Sequence, residues 1–269
     1  MRTETITSAQ NSKIKMLLAL GEKSRTRREN SLFVVEGRKE IGHCLDAGYK
    51  VRTLFACPEI IPERELEKIA ERCGEDCTIV NVPAHLYEKI AYRGSTEGVI
   101  AEAEIIDKSL GDIKLRENPL VIVLESVEKP GNLGAVLRTA DAADADAVIV
   151  CDPLTDLYNP NLIRSSLGAT FTRQVVAASS GETLKWLNDN NIKIYTAQLQ
   201  DSEWYYDTDM KYGTALVMGT EHEGLSTFWR MHADAHVKIP MLGQMDSLNV
   251  SVSAAILMFE AVRQRNSKL

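Results

Sequence analysis

Long apolar runs, aromatic residues and prolines are all scarce in this sequence of 269 residues, which has 6% aromatics and eight prolines. No apolar run approaches the ~20 residues of a membrane-crossing helix. The first ten residues, MRTETITSAQ, lack the apolar stretch of a secretory signal. With 44% hydrophobic and 26% charged residues, the composition is that of a globular protein. We expect a cytoplasmic protein of one large or two ordinary domains.

Cysteine pairs are also missing. The five cysteines, an odd number without framework spacing, stand at 44, 57, 73, 77 and 151, which favours reduced thiols. Cys73 and Cys77 form one close pair, but a single C-x3-C is weak support for a metal. His232 and His236, four residues apart, could share a metal on a helix, yet no third ligand accompanies them. The sequence therefore predicts no metal site.

Two common phosphate-binding loops are absent. The stretch PGNLGAVLRTA at 130–140 lacks the lysine and hydroxyl that follow the second glycine of a P-loop, and G-x-G-x-x-G occurs nowhere. A plain strand-to-helix turn explains the glycines. It does not explain Arg138, which a helix would place about one and two-thirds turns beyond Asn132, near a strand end. We expect an anion or a hydroxyl group to be held there.

Negative charge predominates overall but not at the start of the chain. The formal net charge is −7, whereas residues 1–40 hold nine Lys/Arg and five Asp/Glu, so residues 41–269 carry −7 − 4 = −11. Between Lys13 and Arg28 there are six basic residues and one acidic residue. RNA phosphates respond to local charge, but a solvated helix face explains such a run equally well. The basic segment permits an RNA partner without requiring one.

Alternating strand and helix patterns predict two α/β parts with a parallel sheet in the second. In the first part, helices at 12–29, 38–48 and 62–74 alternate with strands at 32–37, 51–57 and 77–83. Residues 101–118 gain charge and lose regular period, which indicates a join. In the second part, strands at 120–127, 147–152, 193–199 and 214–219 alternate with helices at 132–143, 162–171, 181–191 and 247–265.

Two further polar stretches follow predicted strands of the second part. VMGTEHEGLS at 217–226 runs from a strand into a turn that carries Glu221. IPMLGQMDSLNVSVSAA at 239–255 leads through a glycine loop to a helix with Ser247 and Asn249 at its mouth. Helix capping readily explains one of these two residues, not obviously both.

These three stretches resemble the signature motifs of the SpoU/TrmH branch of the SPOUT RNA methyltransferases. The motif N-x-G-x3-R lies at 132–138, G-x-E-x-x-G-L-S at 219–226, and I-P-M-x-G-x3-S-L-N-V-S-x-[AS]-A at 239–254. The resemblance spans about residues 118–265, and His222 departs from it at a position where many members have glycine. More loosely, the N-terminal part resembles the L30e-like RNA-binding domain of many members.

The resemblance implies a fold and a reaction. The fold is a C-terminal SPOUT α/β domain with a parallel sheet and a deep trefoil knot, after a smaller N-terminal α/β domain. The implied division is a substrate-binding domain at 1–104, a linker at 105–117 and a methyltransferase domain at 118–269. The reaction is transfer of a methyl group from S-adenosylmethionine to a ribose 2′-hydroxyl of RNA. The resemblance also implies a homodimer with its active site at the subunit interface.

Roles for individual residues follow from the same resemblance. The implied catalytic residues are Asn132, Arg138, Glu221, Ser247 and Asn249. The implied cofactor-binding residues are Gly219, Thr220, Ile239, Met241, Gly243 and Leu248. The basic residues expected to contact RNA are Lys13, Lys15, Arg25, Arg27, Arg28 and Arg38.

Several alternatives remain open. Ribosomal RNA, of the 23S type, is favoured over transfer RNA because the N-terminal part resembles the version found in rRNA-modifying relatives. A catalytically silent RNA-binding or assembly factor is the second reading, which the intact set of five polar residues disfavours. A guanidinium stays protonated to about pH 12, so Arg138 either acts as the base or orients phosphate and alkoxide. Trp204, Tyr205 and Tyr206 could stack on a base, although packing explains them better.

Overall fold

The computed structural model describes residues 2–92, 97–220 and 223–266. Its strands are β1 (Arg2–Thr5), β2 (Leu32–Glu36), β3 (Val51–Ala56), β4 (Thr78–Asn81), β5 (Val99–Glu104), β6 (Leu120–Glu125), β7 (Ala147–Cys151), β8 (Gln174–Ala178), β9 (Lys193–Ala197), β10 (Glu203–Trp204), β11 (Thr214–Met218) and β12 (Ala235–Lys238). Its α-helices are α1 (Ser12–Glu22), α2 (Ser24–Asn30), α3 (Arg38–Asp46), α4 (Glu63–Cys73), α5 (Ala84–Ile90), α6 (Pro130–Ala142), α7 (Pro160–Ser165), α8 (Ala169–Thr172), α9 (Ser180–Asp189), α10 (Thr227–His232) and α11 (Val250–Arg265).

The chain divides into two compact units, and each unit is formed by two separate stretches of the sequence. The first unit comprises Met1–Asp107 with Asp156–Thr172, and the second comprises Lys108–Thr155 with Arg173–Leu269. The predicted division at 118 differs from this grouping at 156–172. That stretch joins the first unit because Ile163 and Phe171 are part of its apolar core, and because Asp156 accepts a hydrogen bond from Arg27.

The first unit contains a mixed sheet with the order β1-β4-β3-β5-β2. Strand β5 pairs antiparallel with both β2 and β3, so the predicted join at 101–118 was wrong at its start. The charged residues of this stretch suggested an exposed join, whereas Glu102 is buried within β5. Burial raises the pKa of its carboxyl to about 7, because a low-dielectric surrounding disfavours the ionised form.

The second unit is built on a parallel sheet with the order β10-β12-β9-β11-β6-β7-β8. Every residue of β6 is buried, as expected for a central strand covered on both faces. Strands β8, β10 and β12 were not predicted. The helix predicted at 162–171 is interrupted at Gly168, whose φ of +80° ends a right-handed helix at a residue without a Cβ, and its two pieces are α7 and α8.

Most of the predicted linker at 105–117 is part of the second unit. Leu110, Ile113 and Leu115 pack against the core of this unit. Lys114 donates its amide hydrogen to Gln174 Oε1 at 2.8 Å, and Arg116 pairs with Asp146. Apolar side chains at 110, 113 and 115 therefore hold the segment against the second sheet, although its charge suggested a free connection.

Helix α11 carries apolar side chains on more than one side. Leu257 and Ala261 are buried, whereas Phe259 is 48% exposed. The helix begins at Val250 with Asn249 as its N-cap, so Ser247 does not cap it. Among the described residues, no helix combines the length and apolarity needed to cross a bilayer. The trefoil knot stays a prediction.

Asp146 fixes the entry to β6. Its carboxyl group accepts hydrogen bonds from the backbone amides of Arg116 and Leu120 and from the Arg116 guanidinium, at 2.8–3.0 Å. Burial alone would raise the pKa of this carboxyl, but the hydrogen bonds outweigh it and the pKa lies below its ordinary value. The ionised form therefore stabilises the fold.

We expect Asp146→Asn to lower the free energy of unfolding by about 2–3 kcal/mol at pH 7, because it weakens a buried, charge-assisted network. Urea unfolding measures this loss. The contribution of the ionised carboxyl is fully present above the unfolded pKa, about 3.9, and is lost as the pH falls through the lower folded pKa. The stabilities of the two proteins should therefore begin to converge as the pH falls below about 4, and should meet only below the folded pKa of Asp146.

Asp144→Asn is the matched control, since Asp144 also pairs with Arg116 but is exposed. Its φ of +51° suits asparagine equally well, and an exposed pair contributes about 0–1 kcal/mol. Equal losses for the two variants would contradict the special role of Asp146.

Candidate active site

The candidate site forms where β6 and β11 end. These strands are parallel neighbours, with Met218 in register with Leu124, so the segments that follow them leave the same edge of the sheet. Helix α6 begins after β6, and α11 packs against α6. The three motifs identified in the sequence are thereby brought to one edge, where open parallel sheets bind ligands.

The loop after β11 folds back on itself through backbone bonds. The Thr220 amide donates to Gly224 O at 3.0 Å, and the Gly224 amide donates to Thr220 O at 3.1 Å. A Cβ at Gly219 would lie 2.0 Å from Gly224 O, and Gly224 has a φ of +68°, which favours glycine. Both glycines of the second motif are therefore required by the backbone. Glu221 and His222 lie outside the described residues.

Glu125 holds the far end of this loop, and the sequence analysis missed it. This last residue of β6 is buried, and its Oε2 accepts the Ser226 amide at 2.8 Å. The sequence did contain a signal for this role, because a carboxylate ends an otherwise apolar strand. A buried charge requires a partner. The bond ties the second motif to the strand that precedes the first.

Asn132 and Asn249 join the first motif to the third. Asn249 Nδ2 donates to Asn132 Oδ1 at 3.2 Å. The Oδ1 atom of Asn249 accepts the Ser251 amide at 2.9 Å and the Ser251 hydroxyl at 2.6 Å, which is the N-cap arrangement. One amide side chain thus caps α11 and contacts the start of α6.

A cavity of about 390 Å³ opens at this edge, lined by five of the six predicted cofactor residues. Gly219 and Thr220 provide backbone, and Ile239, Met241 and Leu248 provide apolar surface. Ser247 also lines it, whereas Gly243, exposed and with open space around it, does not. Apolar side chains combined with a few polar groups suit a nucleoside. The residues present therefore fit S-adenosylmethionine.

A second cavity of about 240 Å³ shares Gly219, Thr220, Glu223 and Val250 with the first. Asn132, Glu128 and Lys129 also line it. A polar pocket of this kind, next to a nucleoside-sized one, can receive a second, hydroxyl-bearing group. Lys129 was not among the predicted site residues.

Arg138 lies apart from both cavities. It is on α6, its side chain is exposed, and it lines neither cavity. In the described part of the chain, no hydrogen bond or ion pair engages its guanidinium. The structure thus brings together Asn132, Ser247 and Asn249 but leaves Arg138 directed elsewhere within one copy of the chain.

Five of the six basic residues predicted to contact RNA are exposed, and one is not. Those on the surface are Lys13, Lys15, Arg25, Arg28 and Arg38. Arg27 is only 2% exposed; its Nε donates to Asp156 Oδ2 and its Nη1 to Leu20 O, both at 2.6 Å. We therefore remove Arg27 from the RNA-contacting set, because its guanidinium is occupied inside the first unit.

The histidine pair does not share a helix. His232 ends α10 and its Nδ1 lies 2.8 Å from Phe228 O, whereas His236 is in β12 with Nδ1 2.6 Å from Thr196 Oγ1. Within residues 2–92, 97–220 and 223–266, no three potential ligands cluster around a metal position.

Comparison with known proteins relates both parts of the chain to RNA-modifying enzymes. Residues 119–259 match the model of the SpoU rRNA Methylase family, and residues 11–101 match an MRM3-like substrate binding domain. The chain is 33% identical to a 23S rRNA (uridine(2479)-2′-O)-methyltransferase of Streptomyces viridochromogenes, over 92% of this chain and 88% of that one.

A second relative and a solved structure extend over nearly the whole chain. The 23S rRNA (guanosine(2553)-2′-O)-methyltransferase RlmP of Bacillus subtilis is 28% identical over 94% of this chain and 97% of its own. The AdoMet-bound rRNA methyltransferase from Sinorhizobium meliloti superimposes with a TM-score of 0.89 at 29% identity, covering 97% of this chain and 98% of its own. The strand-end site, the three motifs and these matches agree: the chain belongs to the SpoU rRNA methylase family.

Proposed function

We propose that this protein transfers the methyl group of S-adenosylmethionine to a ribose 2′-hydroxyl of ribosomal RNA, of the 23S type. The observation that best supports this proposal is a pair of adjoining cavities behind one loop. One cavity suits a nucleoside, and the other is lined by Asn132 and Lys129. The names of the relatives, which modify 23S rRNA at uridine or guanosine, support the choice of RNA.

Positioning is the main chemical task of the site. Bound S-adenosylmethionine supplies an electrophilic methyl group on a sulfonium. Gly219, Thr220 and Leu248 hold the cofactor, while Asn132 orients the ribose in the second cavity. Holding a poor nucleophile in line can contribute about 7–11 kcal/mol. Arg138 holds the neighbouring phosphate and stabilises the developing alkoxide with its bidentate guanidinium.

A homodimer explains how Arg138 reaches the site. Arg138 lines neither cavity of its own copy, and α11 exposes Val252 and Phe259, an apolar face of the kind that marks an interface. We propose that α11 pairs with a second copy, as the family resemblance implies, and that each copy supplies Arg138 to the cavities of the other.

The first unit selects RNA through its basic surface. Lys15 and Arg28 are exposed and make no ion pair with described residues, so they are free to bind phosphate. Lys13, Arg25 and Arg38 are exposed but pair with Glu4, Glu29 and Glu97 respectively. Surface pairs of this kind are weak and exchange readily for phosphate.

We expect Arg138→Lys to lower methyl transfer by about a hundredfold or more while RNA binding is retained, because lysine keeps the charge but loses the bidentate fork. The measurement uses tritiated S-adenosylmethionine with rRNA and tRNA fractions that lack the modification. Resistance of the labelled linkage to alkaline hydrolysis identifies a 2′-O-methyl group.

Arg72→Lys serves as the control, since Arg72 is an arginine of the first unit that pairs with Asp46 outside the proposed site. Label in tRNA alone would contradict the rRNA assignment. Absence of cofactor binding in the unaltered protein would favour the catalytically silent scaffold.

Asn249→Ser separates capping from catalysis. Serine still caps α11, but it is too short to reach Asn132. We expect the melting temperature to stay near that of the unaltered protein, and methyl transfer at saturating substrates to fall about tenfold or more because the ribose is less well oriented.

Asn249→Ala provides the comparison, since it removes the cap as well and should cost about 1 kcal/mol of stability. Full activity in the serine variant would show that the bond to Asn132 is structural only.

Mixed subunits test whether Arg138 acts across the dimer. Gly219→Val destroys the cavities, because a Cβ at 219 lies 2.0 Å from Gly224 O. When this variant is refolded together with Arg138→Ala, we expect about one quarter of normal activity, since half of the dimers are mixed and each has one intact site.

Each variant alone should be inactive. Adding Phe259→Glu to both chains should abolish the recovered activity by preventing pairing, which sedimentation equilibrium reports directly. No recovery in dimers shown to be mixed would place Arg138 in the cavities of its own subunit.

A further inference from the structure

Arg230 lies in the wall of the larger cavity and has no partner among the residues that the structure describes. It lies on α10 and lines the same space as Gly219, Ile239 and Leu248. Its Nε is buried and has no hydrogen-bond partner. Across residues 2–92, 97–220 and 223–266, no ion pair or hydrogen bond engages any part of its guanidinium.

The backbone beneath Arg230 is anchored. Its neighbour Trp229 is fully buried, and the Trp229 indole donates to Ser180 Oγ at 3.1 Å. The Arg230 amide donates to Ser226 O at 3.3 Å, and Ser226 is itself held by Glu125. These contacts fix α10, so the side chain extends from a rigid base, as a ligand-binding group requires.

The other charged residues of this cavity do not satisfy Arg230. Lys238 has its Nζ 4.8 Å from the centre of the Trp204 ring, a cation–π contact. Glu223 and Asp246 also line the cavity but are exposed, and neither pairs with Arg230. The buried Nε donor therefore has no acceptor among the described residues, and a ligand that supplies one would remove a strongly disfavoured arrangement.

We propose that Arg230 binds the carboxylate of the methionine part of S-adenosylmethionine. The inference rests on the proposed function, in which this cavity holds that cofactor. Adenine and ribose carry no anionic group, whereas the α-carboxylate matches the planar fork of arginine in charge and geometry. Leu225, Ile239 and Leu257 in the same wall suit the adenosine part, so Arg230 defines the end of the cavity that receives the amino acid.

Binding measurements test this assignment without measuring methyl transfer. They combine a shortened side chain at residue 230 with a ligand that lacks the amino-acid part. Calorimetry measures the affinity of two ligands for the unaltered full chain and for Arg230→Gln. S-adenosylhomocysteine carries the carboxylate, whereas 5′-methylthioadenosine lacks the whole amino-acid part. We expect Arg230→Gln to weaken S-adenosylhomocysteine at least tenfold and 5′-methylthioadenosine less than twofold, because a charge-assisted bond is lost with one ligand only.

Arg230→Lys keeps the charge without the fork and should give an intermediate loss for S-adenosylhomocysteine. Lys185→Gln is the matched control for net charge. Lys185 pairs with Asp189 on the exposed face of α9, so this change should leave both affinities unchanged. Circular dichroism establishes that each variant is folded.

Three outcomes would overturn the assignment. Equal weakening of both ligands places Arg230 against the adenosine part, and unchanged binding of S-adenosylhomocysteine removes Arg230 from the ligand altogether. Failure of the unaltered protein to bind either ligand refutes the cofactor of the proposed function itself, which distinguishes that failure from an error about Arg230.

Discussion

The absence of a side chain at residue 219 is the constraint on which the rest of the site depends. A Cβ there would lie 2.0 Å from Gly224 O, so only glycine lets the loop after β11 close through its paired bonds between Thr220 and Gly224. Gly219 and Thr220 form part of the wall of both cavities. The same loop therefore borders both the cavity proposed for the cofactor and the cavity proposed for the ribose.

Hydrogen bonds from the neighbouring elements keep this loop in place. Glu125 at the end of β6 holds the Ser226 amide, which fixes the end of the loop. Asn249 caps α11 and also binds Asn132 on α6, which fixes the two helices that border the cavities. Each polar group bonds to a different motif, so loss of one bond should weaken the others. The effects of the corresponding substitutions on the free energy of unfolding should therefore not be additive. Motifs far apart in the chain therefore act as one structure.

The sequence motifs pointed to residues that the structure brings to one edge of the sheet, whereas parts of the surrounding fold were mispredicted. The family resemblance selected Gly219, Asn132 and Asn249; a tight turn explains the residue type at 219 and a helix cap explains it at 249. Strand β5 was missed because Glu102 interrupts its apolar pattern, and burial of that carboxyl depends on strands β2 and β3, which are remote in sequence. Similarly, Gly243 has the motif's spacing but not a place in the cavity wall. Local geometry is encoded locally, whereas burial is decided by the partners that the whole chain supplies.

Three arginines illustrate why charge alone could not assign function. Arg27 lies in a basic run yet is held by Asp156, 129 residues further on, and this pairing makes it structural. Arg138 and Arg230 belong to no such pair with described residues. Arg138 is exposed on α6, whereas Arg230 has a buried donor in a cavity wall. A buried donor without a partner is stabilised when a ligand or another chain supplies the acceptor. The unpaired cations, more than the densest basic segment, therefore indicate where this protein binds its anionic groups.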